Sequence, residues 1–400
     1  MQRYIPFSPP DITEQEIQEV VGVLQSGWIT TGPKTKQFEQ QIAEYCHTKK
    51  AVCMSSATAC LEQTLRILGI GPGDEVITSA YTYTASASVI AHVGATPVLI
   101  DVAANSFEMD YAQVERAITE RTKAIIPVDF AGVPCDYERI YDIVERNKKL
   151  FQPKNELQQA FGRIVVVADA AHSFGSVRHG VLSGQMADFT CFSFHAVKNL
   201  TTAEGGAVTW RGSSKADDEE LYHKYMLLSL HGQSKDAFSK QEASAWEYDI
   251  VSLGYKCNMT DMAAALGMGQ LKRYREMIRI RQNIIRAYDA GLDGLPIEVL
   301  KHSGPDYQAN GHLYITRLPG KSREDCNRLM RMLAEKGIST NVHYKPLPMH
   351  TAYQNMGFRI QDYPNAYAMY ENEVTLPLNA KMTEEDACYV AETIKGILKD

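Results

Sequence analysis

Over its first two thirds the chain alternates short, continuous apolar runs with stretches of helical period, and this alternation restricts the fold more than any other feature. The apolar runs are KAVCMSS (50–56), the strand within GPGDEVITSA (71–80), TPVLIDV (96–102), AIIPVDF (124–130), RIVVVADAA (163–171), DFTCFSFH (188–195) and GGAVTW (205–210). Helical patterns, among them ATACLEQTLRIL (57–68), TASASVIAHVG (84–94), YAQVERAITE (111–120) and CDYERIYDIVERN (135–147), fall between them. A strand that is apolar at consecutive positions is covered on both faces, and strands separated by helices run parallel. The expected class is therefore α/β, with a mostly parallel central sheet between layers of helix.

The remainder reads differently. FQPKNELQQAFG (151–162) is polar and is expected to be a surface insertion, and residues 231–252 lack a period and read as a long loop. From Thr260 one long helical pattern continues to about residue 292. Beyond it, strand GHLYITRL (311–318), helix SREDCNRLMRMLAEKG (322–337) and strand ISTNVHY (338–344) predict a small α+β unit. It closes on a helix whose Thr383 and Asp386 have capping-box spacing. The expected organisation is a large α/β domain with an N-terminal arm (1–260), a connecting helix (261–292) and a small C-terminal domain (293–400).

Composition excludes several functions. With 41 Lys+Arg against 48 Asp+Glu the net charge is −7, spread along the chain without basic runs, which argues against a nucleic-acid partner. No stretch approaches the roughly 18 apolar residues of a membrane span, and the N-terminus has no signal-peptide core. Eight scattered cysteines with no CxxC pair read as reduced thiols of a cytoplasmic protein.

Three features sit where ligands bind in open α/β sheets, at the carboxyl ends of strands. Lys198 follows the run 188–195, Asp169 ends the run 163–171, and SSATA ends the run 50–56 and opens a helix. Taken singly, each has an ordinary explanation: a solvated loop lysine, a turn-forming aspartate, an N-cap. Taken together they offer an anion site at a helix N-terminus, a carboxylate for a protonated ring nitrogen, and an amine able to attack a carbonyl. Phosphate, pyridine nitrogen and aldehyde are the three handles of pyridoxal 5′-phosphate (PLP).

These motifs, in order with GWITTGPKTKQFEQQIAEY (27–45), GATPVLIDV, ADAAHSFG, LGYKCNMTDMAAALGMGQL and NEVTLPLNAKMTEED, resemble the DegT/DnrJ/EryC1/StrS family of sugar aminotransferases over nearly the whole chain. The resemblance implies the fold-type I architecture of PLP enzymes, like that of aspartate aminotransferase. It also implies roles for residues. Lys198 would form the Schiff base and carry protons, and Asp169 would pair with the pyridine nitrogen. His172 would lie beside the ring and its O3′ oxygen, and Ser193, Ala57 and Thr58 would meet the phosphate. Ala57 departs from the commoner glycine at its position. Tyr83 would stack on the ring. A further phosphate contact comes from the neighbouring subunit in this family, and Lys256 or Asn258 would supply it, where the family pattern often has G-Y-N-x-R. A homodimer with shared active sites follows.

His195 and Glu204, in SFHAVKNLTTAEGG, resemble the members that aminate C4 of a sugar. The expected reaction passes the amino group of L-glutamate to a nucleotide-linked 4-ketosugar for surface polysaccharide or lipopolysaccharide. Three alternatives stand beside it: amination of a 3-ketosugar, dehydration by a pyridoxamine-dependent enzyme, and a non-catalytic role. Dehydratases of this family lack the lysine, and Lys198 counts against that reading. The intact set Lys198, Asp169, Ser193 and Thr58 counts against a non-catalytic one.

Overall fold

Seven strands form one sheet in the computed structural model, which describes residues 3–212, 217–234 and 247–399. They are β1 (Ala51–Met54), β2 (Glu75–Ser79), β3 (Thr96–Ile100), β4 (Thr122–Ile126), β5 (Val165–Asp169), β6 (Phe189–Ser193) and β7 (Gly206–Trp210). Their spatial order is β1-β7-β6-β5-β4-β2-β3. Strands β3, β2, β4, β5 and β6 are mutually parallel, and β7 runs antiparallel to both β6 and β1.

The continuous apolar runs have the expected consequence. Successive side chains of a strand point to opposite faces, so Val165 and Val167 enter one buried cluster while Val166 and Ala168 enter another. Helices α1 (Glu14–Ser26), α2 (Pro33–Cys46), α3 (Ala57–Ile67) and α4 (Ala85–His92) belong to the layers over the sheet. Phe38 and Ile42 of α2 pack on one face, and Leu61 and Leu65 of α3 on the other.

Three expectations need correction. The long pattern from Thr260 is two helices, α5 (Asp261–Lys272) and α6 (Tyr274–Leu292), broken at Arg273. Arg273 is drawn to Asp11 and to buried Glu16, which it meets at 2.6 Å through Nε. Residues 151–162 are not merely a surface insertion. Phe151 and Phe161 are buried, and the Gln158 amide donates to the Leu68 carbonyl at 2.8 Å, tying a short helix (Glu156–Phe161) to the end of α3. Of the loop at 231–252, residues 235–246 lie outside the described residues; its flanks pair, Ser234 N–H donating to the Asp249 carbonyl at 2.9 Å. Finally, 338–344 is not a strand. It makes isolated bridges, Ile338 to Ile5 and Asn341 to Thr375.

The small sheet is β8 (Glu298–Val299), β9 (Tyr314–Arg317) and β10 (Glu373–Leu376), in that order and antiparallel. With α7 (Arg323–Glu335) and α8 (Glu384–Ile397) it closes over Tyr288, Leu329, Val374 and Val390. Thr383 and Asp386 form the reciprocal capping box on α8. Helix α6 joins the two cores: Tyr274 and Met277 lie in the large cluster, Ile284 and Tyr288 in the small one. Ile5 also lies in the small cluster, brought there by the N-terminal segment. All eight cysteines are free. Among the described residues no helix is long and apolar enough to cross a membrane.

Candidate active site

The carboxyl ends of β1, β2, β4, β5 and β6 converge on a cavity of about 460 Å³. Ala57, Thr58, Tyr83, Asp169, His172, Ser193 and Lys198 all line it, as do His195 and Glu204. The connections leaving parallel strands emerge on one edge, which is why residues so far apart in sequence meet there.

One end of the cavity suits an anion. Ser56 caps α3, its hydroxyl accepting from Ala59 N–H at 3.0 Å, while the N–H groups of Ala57 and Thr58 precede the first intrahelical bond. Free donors and the helix dipole attract negative charge at this point. Gly206 makes the approach possible: a Cβ there would lie 2.5 Å from Ala57 N and from the Ser56 carbonyl carbon. Ser193, at the end of β6, adds a hydroxyl on the same cavity.

The other end carries a carboxylate and an amine. Asp169 is buried, with Ser86 Oγ donating to Oδ2 at 2.6 Å and Ala171 N–H to Oδ1 at 3.2 Å. Burial pushes its carboxyl above the ordinary value, while the Ser86 hydroxyl, the Ala171 N–H and the Lys198 ammonium pull it back. Lys198 follows β6 on the loop 194–205. Burial pushes its amine down to about 8, against the opposing pull of Asp169. A lysine depressed in this way holds far more free amine at neutral pH than one in solvent.

The residues present fit PLP on these observations: a glycine-cleared helix N-terminus for the phosphate, a buried carboxylate with two neutral donors that a protonated ring nitrogen would complement, and a reactive amine on the same cavity. When bound, PLP supplies an aldehyde that exchanges amines and a pyridinium ring that draws electrons from the carbon losing its proton. Tyr83 stands 61% exposed at the mouth, where an aromatic face is open to a ligand.

His172 is buried on the same cavity. Its Nδ1 accepts the Ala131 N–H at 3.2 Å, and its Nε2 lies 3.2 Å from the Tyr344 hydroxyl. Burial, then the Lys198 and His343 charges, hold its imidazole well below the ordinary value, so it is neutral. His195 Nε2 and Glu204 Oε1 are 3.5 Å apart in an exposed pair.

Two expected site residues lie elsewhere. Lys256 and Asn258 do not line the cavity of their own chain. They run beside the end of β1, where Cys257 O accepts from Ser55 N–H at 2.7 Å, and the Lys256 amine donates to Asn258 Oδ1 at 2.5 Å. Sequence reasoning also missed three groups: Asp129 and Tyr344, which line the cavity, and Ser86, which donates to Asp169. Ser86 is the second residue of α4, where it looks like an ordinary helical serine. Asp129 looks like the end of a strand. Tyr344 lies inside a segment expected to be a strand of the small sheet. No local signal marks any of them; only the tertiary fold places them here.

Together these features define a PLP-dependent enzyme of the aminotransferase fold, with a mostly parallel sheet presenting a lysine and an aspartate at adjacent strand ends. Residues 10–395 match the model of the DegT/DnrJ/EryC1/StrS aminotransferase family, and the chain belongs to it. It is a PLP-dependent aminotransferase. Spr1654 of Streptococcus pneumoniae in its PLP form superposes with a TM-score of 0.96 and 54% identity, over 99% of both chains, and its PMP form matches at 55% identity. Helicobacter pylori PseC, an aminotransferase involved in the biosynthesis of pseudoaminic acid, gives 0.85 at 28% identity over 99% of this chain and 100% of its own. The spore coat polysaccharide biosynthesis protein SpsC of Bacillus subtilis is 38% identical over 400 residues, 99% of this chain and 97% of that protein.

Proposed function

We propose that this enzyme transfers the amino group of L-glutamate to C4 of a nucleotide-linked ketosugar, a 4-keto-6-deoxy sugar in particular, in a route to surface polysaccharide. The observation that carries the reading is the cavity itself: a depressed lysine, a buried carboxylate and a free helix N-terminus share one space of about 460 Å³. Lys198 acts as the amine that releases and recaptures the cofactor and moves a proton. Asp169 would be the anion that pairs with the ring nitrogen, kept in place by Ser86 and Ala171. Ala57, Thr58 and Ser193 hold the phosphate, His172 lies beside the ring, and Tyr83 covers its open face.

Regiochemistry rests on His195 and Glu204, whose Nε2 and Oε1 lie 3.5 Å apart on the lining of the cavity. SpsC and PseC, by their names, serve polysaccharide and sugar-acid biosynthesis, which supports the substrate class. The active unit is a homodimer in this reading. Its support is the segment 248–255, where Tyr248, Ile250, Val251, Leu253 and Tyr255 are exposed, Leu253 at 94%. So large an apolar run on a surface is ordinarily covered by a partner. The same segment leads into Lys256 and Asn258, which would then reach the neighbour's phosphate.

The test is a panel of UDP-, dTDP- and GDP-linked 3- and 4-ketosugars, each incubated with glutamate. NMR of the product locates the amine. Amination at C4 of a 4-ketosugar is expected; an amine appearing only at C3 from 3-keto substrates would refute it.

A further inference from the structure

We propose that Tyr344 is a hydrogen-bond donor of the active-site pocket, held in that role by His172, and that the oxygen it serves belongs to the bound cofactor or to the bound ketosugar. The proposal rests on the reading of the pocket given above and adds a residue to it.

Ala131 N–H points at His172 Nδ1 from 3.2 Å, so Nδ1 must carry a lone pair. The opposite tautomer would set two N–H groups head to head. The neutral ring therefore carries its hydrogen on Nε2, which faces the Tyr344 oxygen at 3.2 Å. Nε2–H can only donate, so the tyrosine oxygen accepts. Its own hydrogen is directed elsewhere, and the Tyr344 ring lines the cavity. Burial first, then the nearby Asp169 charge, raises the phenol far above its ordinary value. It thus stays a donor and does not become a base.

Both partners are fixed in advance. The turn presenting Ala131 places it at φ +55° and Gly132 at φ +91°. Asp129 anchors that turn: Oδ1 accepts Cys135 N–H at 2.9 Å and the Tyr137 hydroxyl at 2.8 Å, and Oδ2 accepts the Ser173 hydroxyl at 2.6 Å. The Asn310 amide holds the His172 carbonyl at 2.8 Å. Tyr344 arrives from the other core. Asn341 and Thr375 exchange backbone hydrogen bonds of 3.1 and 2.8 Å, His343 N–H donates to Glu373 at 3.1 Å, and the Tyr81 hydroxyl donates to the His343 carbonyl at 2.9 Å. A donor held so firmly costs little reorganisation when an oxygen arrives.

The test is Tyr344→Phe, which removes the oxygen and keeps the ring. Two arms separate the sources. In PLP-loaded protein without substrate, loss of a donor to the cofactor's ring oxygen leaves that oxygen holding a shared proton more tightly. The pH midpoint of the visible absorption band then moves up by about half a unit or more. If the oxygen is the sugar's, the midpoint stays, KM for the ketosugar rises about 2- to 10-fold, and the half-reaction with glutamate is unchanged. Either result supports the proposal. A midpoint within about 0.1 unit and both half-reactions within about 1.5-fold of wild type, against a typical hydrogen-bond effect of several-fold, overturn it. His172→Leu is the second variant, since it can neither accept from Ala131 nor donate onward. In the Tyr344→Phe background it should change these values less than it does in the wild type, and equal changes in both backgrounds overturn the holding role. If the wild type aminates no ketosugar of the panel, the reading of the substrate fails. Only the cofactor's oxygen then remains for Tyr344 to serve, so the absorption midpoint decides the proposal, and an unmoved midpoint overturns it.

Discussion

Lys198 reads in sequence as one lysine in an apolar neighbourhood; the fold makes that neighbourhood the interior. With its amine pushed down to about 8, roughly one molecule in ten carries the free base at pH 7, against roughly one in three thousand at the ordinary value. The sign follows: below about pH 8 the rate at which cofactor-free protein captures PLP should rise about tenfold per pH unit, then level off. Stopped-flow absorbance measures this, and a rate that keeps climbing to pH 10 would show an unperturbed amine. Lys198→Ala should abolish turnover with the fold intact, and borohydride reduction followed by peptide mapping should label Lys198; a label on another lysine refutes the assignment. Asp169→Asn replaces the anion by a neutral amide. The loss of a charge-assisted partner should lower turnover on the order of 10²-fold or more. Steady-state rates within a factor of about three of wild type would remove Asp169 from this role.

Elements show how far pattern reading reaches. The apolar runs 163–171 and 188–195 appear as β5 and β6, each five residues long, and Ala171 and His195 just beyond their ends line the cavity. The run 338–344 has the composition of a strand but not its pairing. Thr375 and Glu373 of β10 hold it by isolated bonds while Tyr344 is delivered to the pocket. Close packing makes a prediction here. Because a Cβ at Gly206 would meet Ala57 N at 2.5 Å and the Phe192 carbonyl oxygen at 2.7 Å, Gly206→Ala must push β7 away from the start of α3. Overpacking of this kind costs about 1–3 kcal/mol. Thermal unfolding should report that loss, and PLP titration a weaker affinity. Unchanged values in both would mean the helix N-terminus tolerates displacement.

At the scale of the whole molecule, the proposed sharing of sites between two subunits is the feature most open to test. Lys256 and Asn258 lie away from their own cavity, on the segment that follows the exposed apolar run 248–255. Lys198→Ala protein mixed with a Lys256→Ala/Asn258→Ala double variant should regain activity once subunits exchange, because one reassorted site is then intact. Each parent alone should be poorly active. No recovery, with exchange verified by mass-tagged subunits, would mean that each site is built within one chain.

The chain's linear pattern by itself determined the layered sheet, since hydrophobic period depends on neighbours a few residues away. It also marked Lys198, Asp169 and the start of α3, because amines, carboxylates and small residues beside apolar runs are chemically conspicuous. What it left undetermined was long-range. Strand order brings Ser86 to Asp169 across 83 residues, and the small core brings Tyr344 to His172 across 172. Neither serine nor tyrosine is unusual where it stands. Only the tertiary fold gives them these partners, because a hydrogen bond is decided by distance and direction in space, which no local spacing encodes.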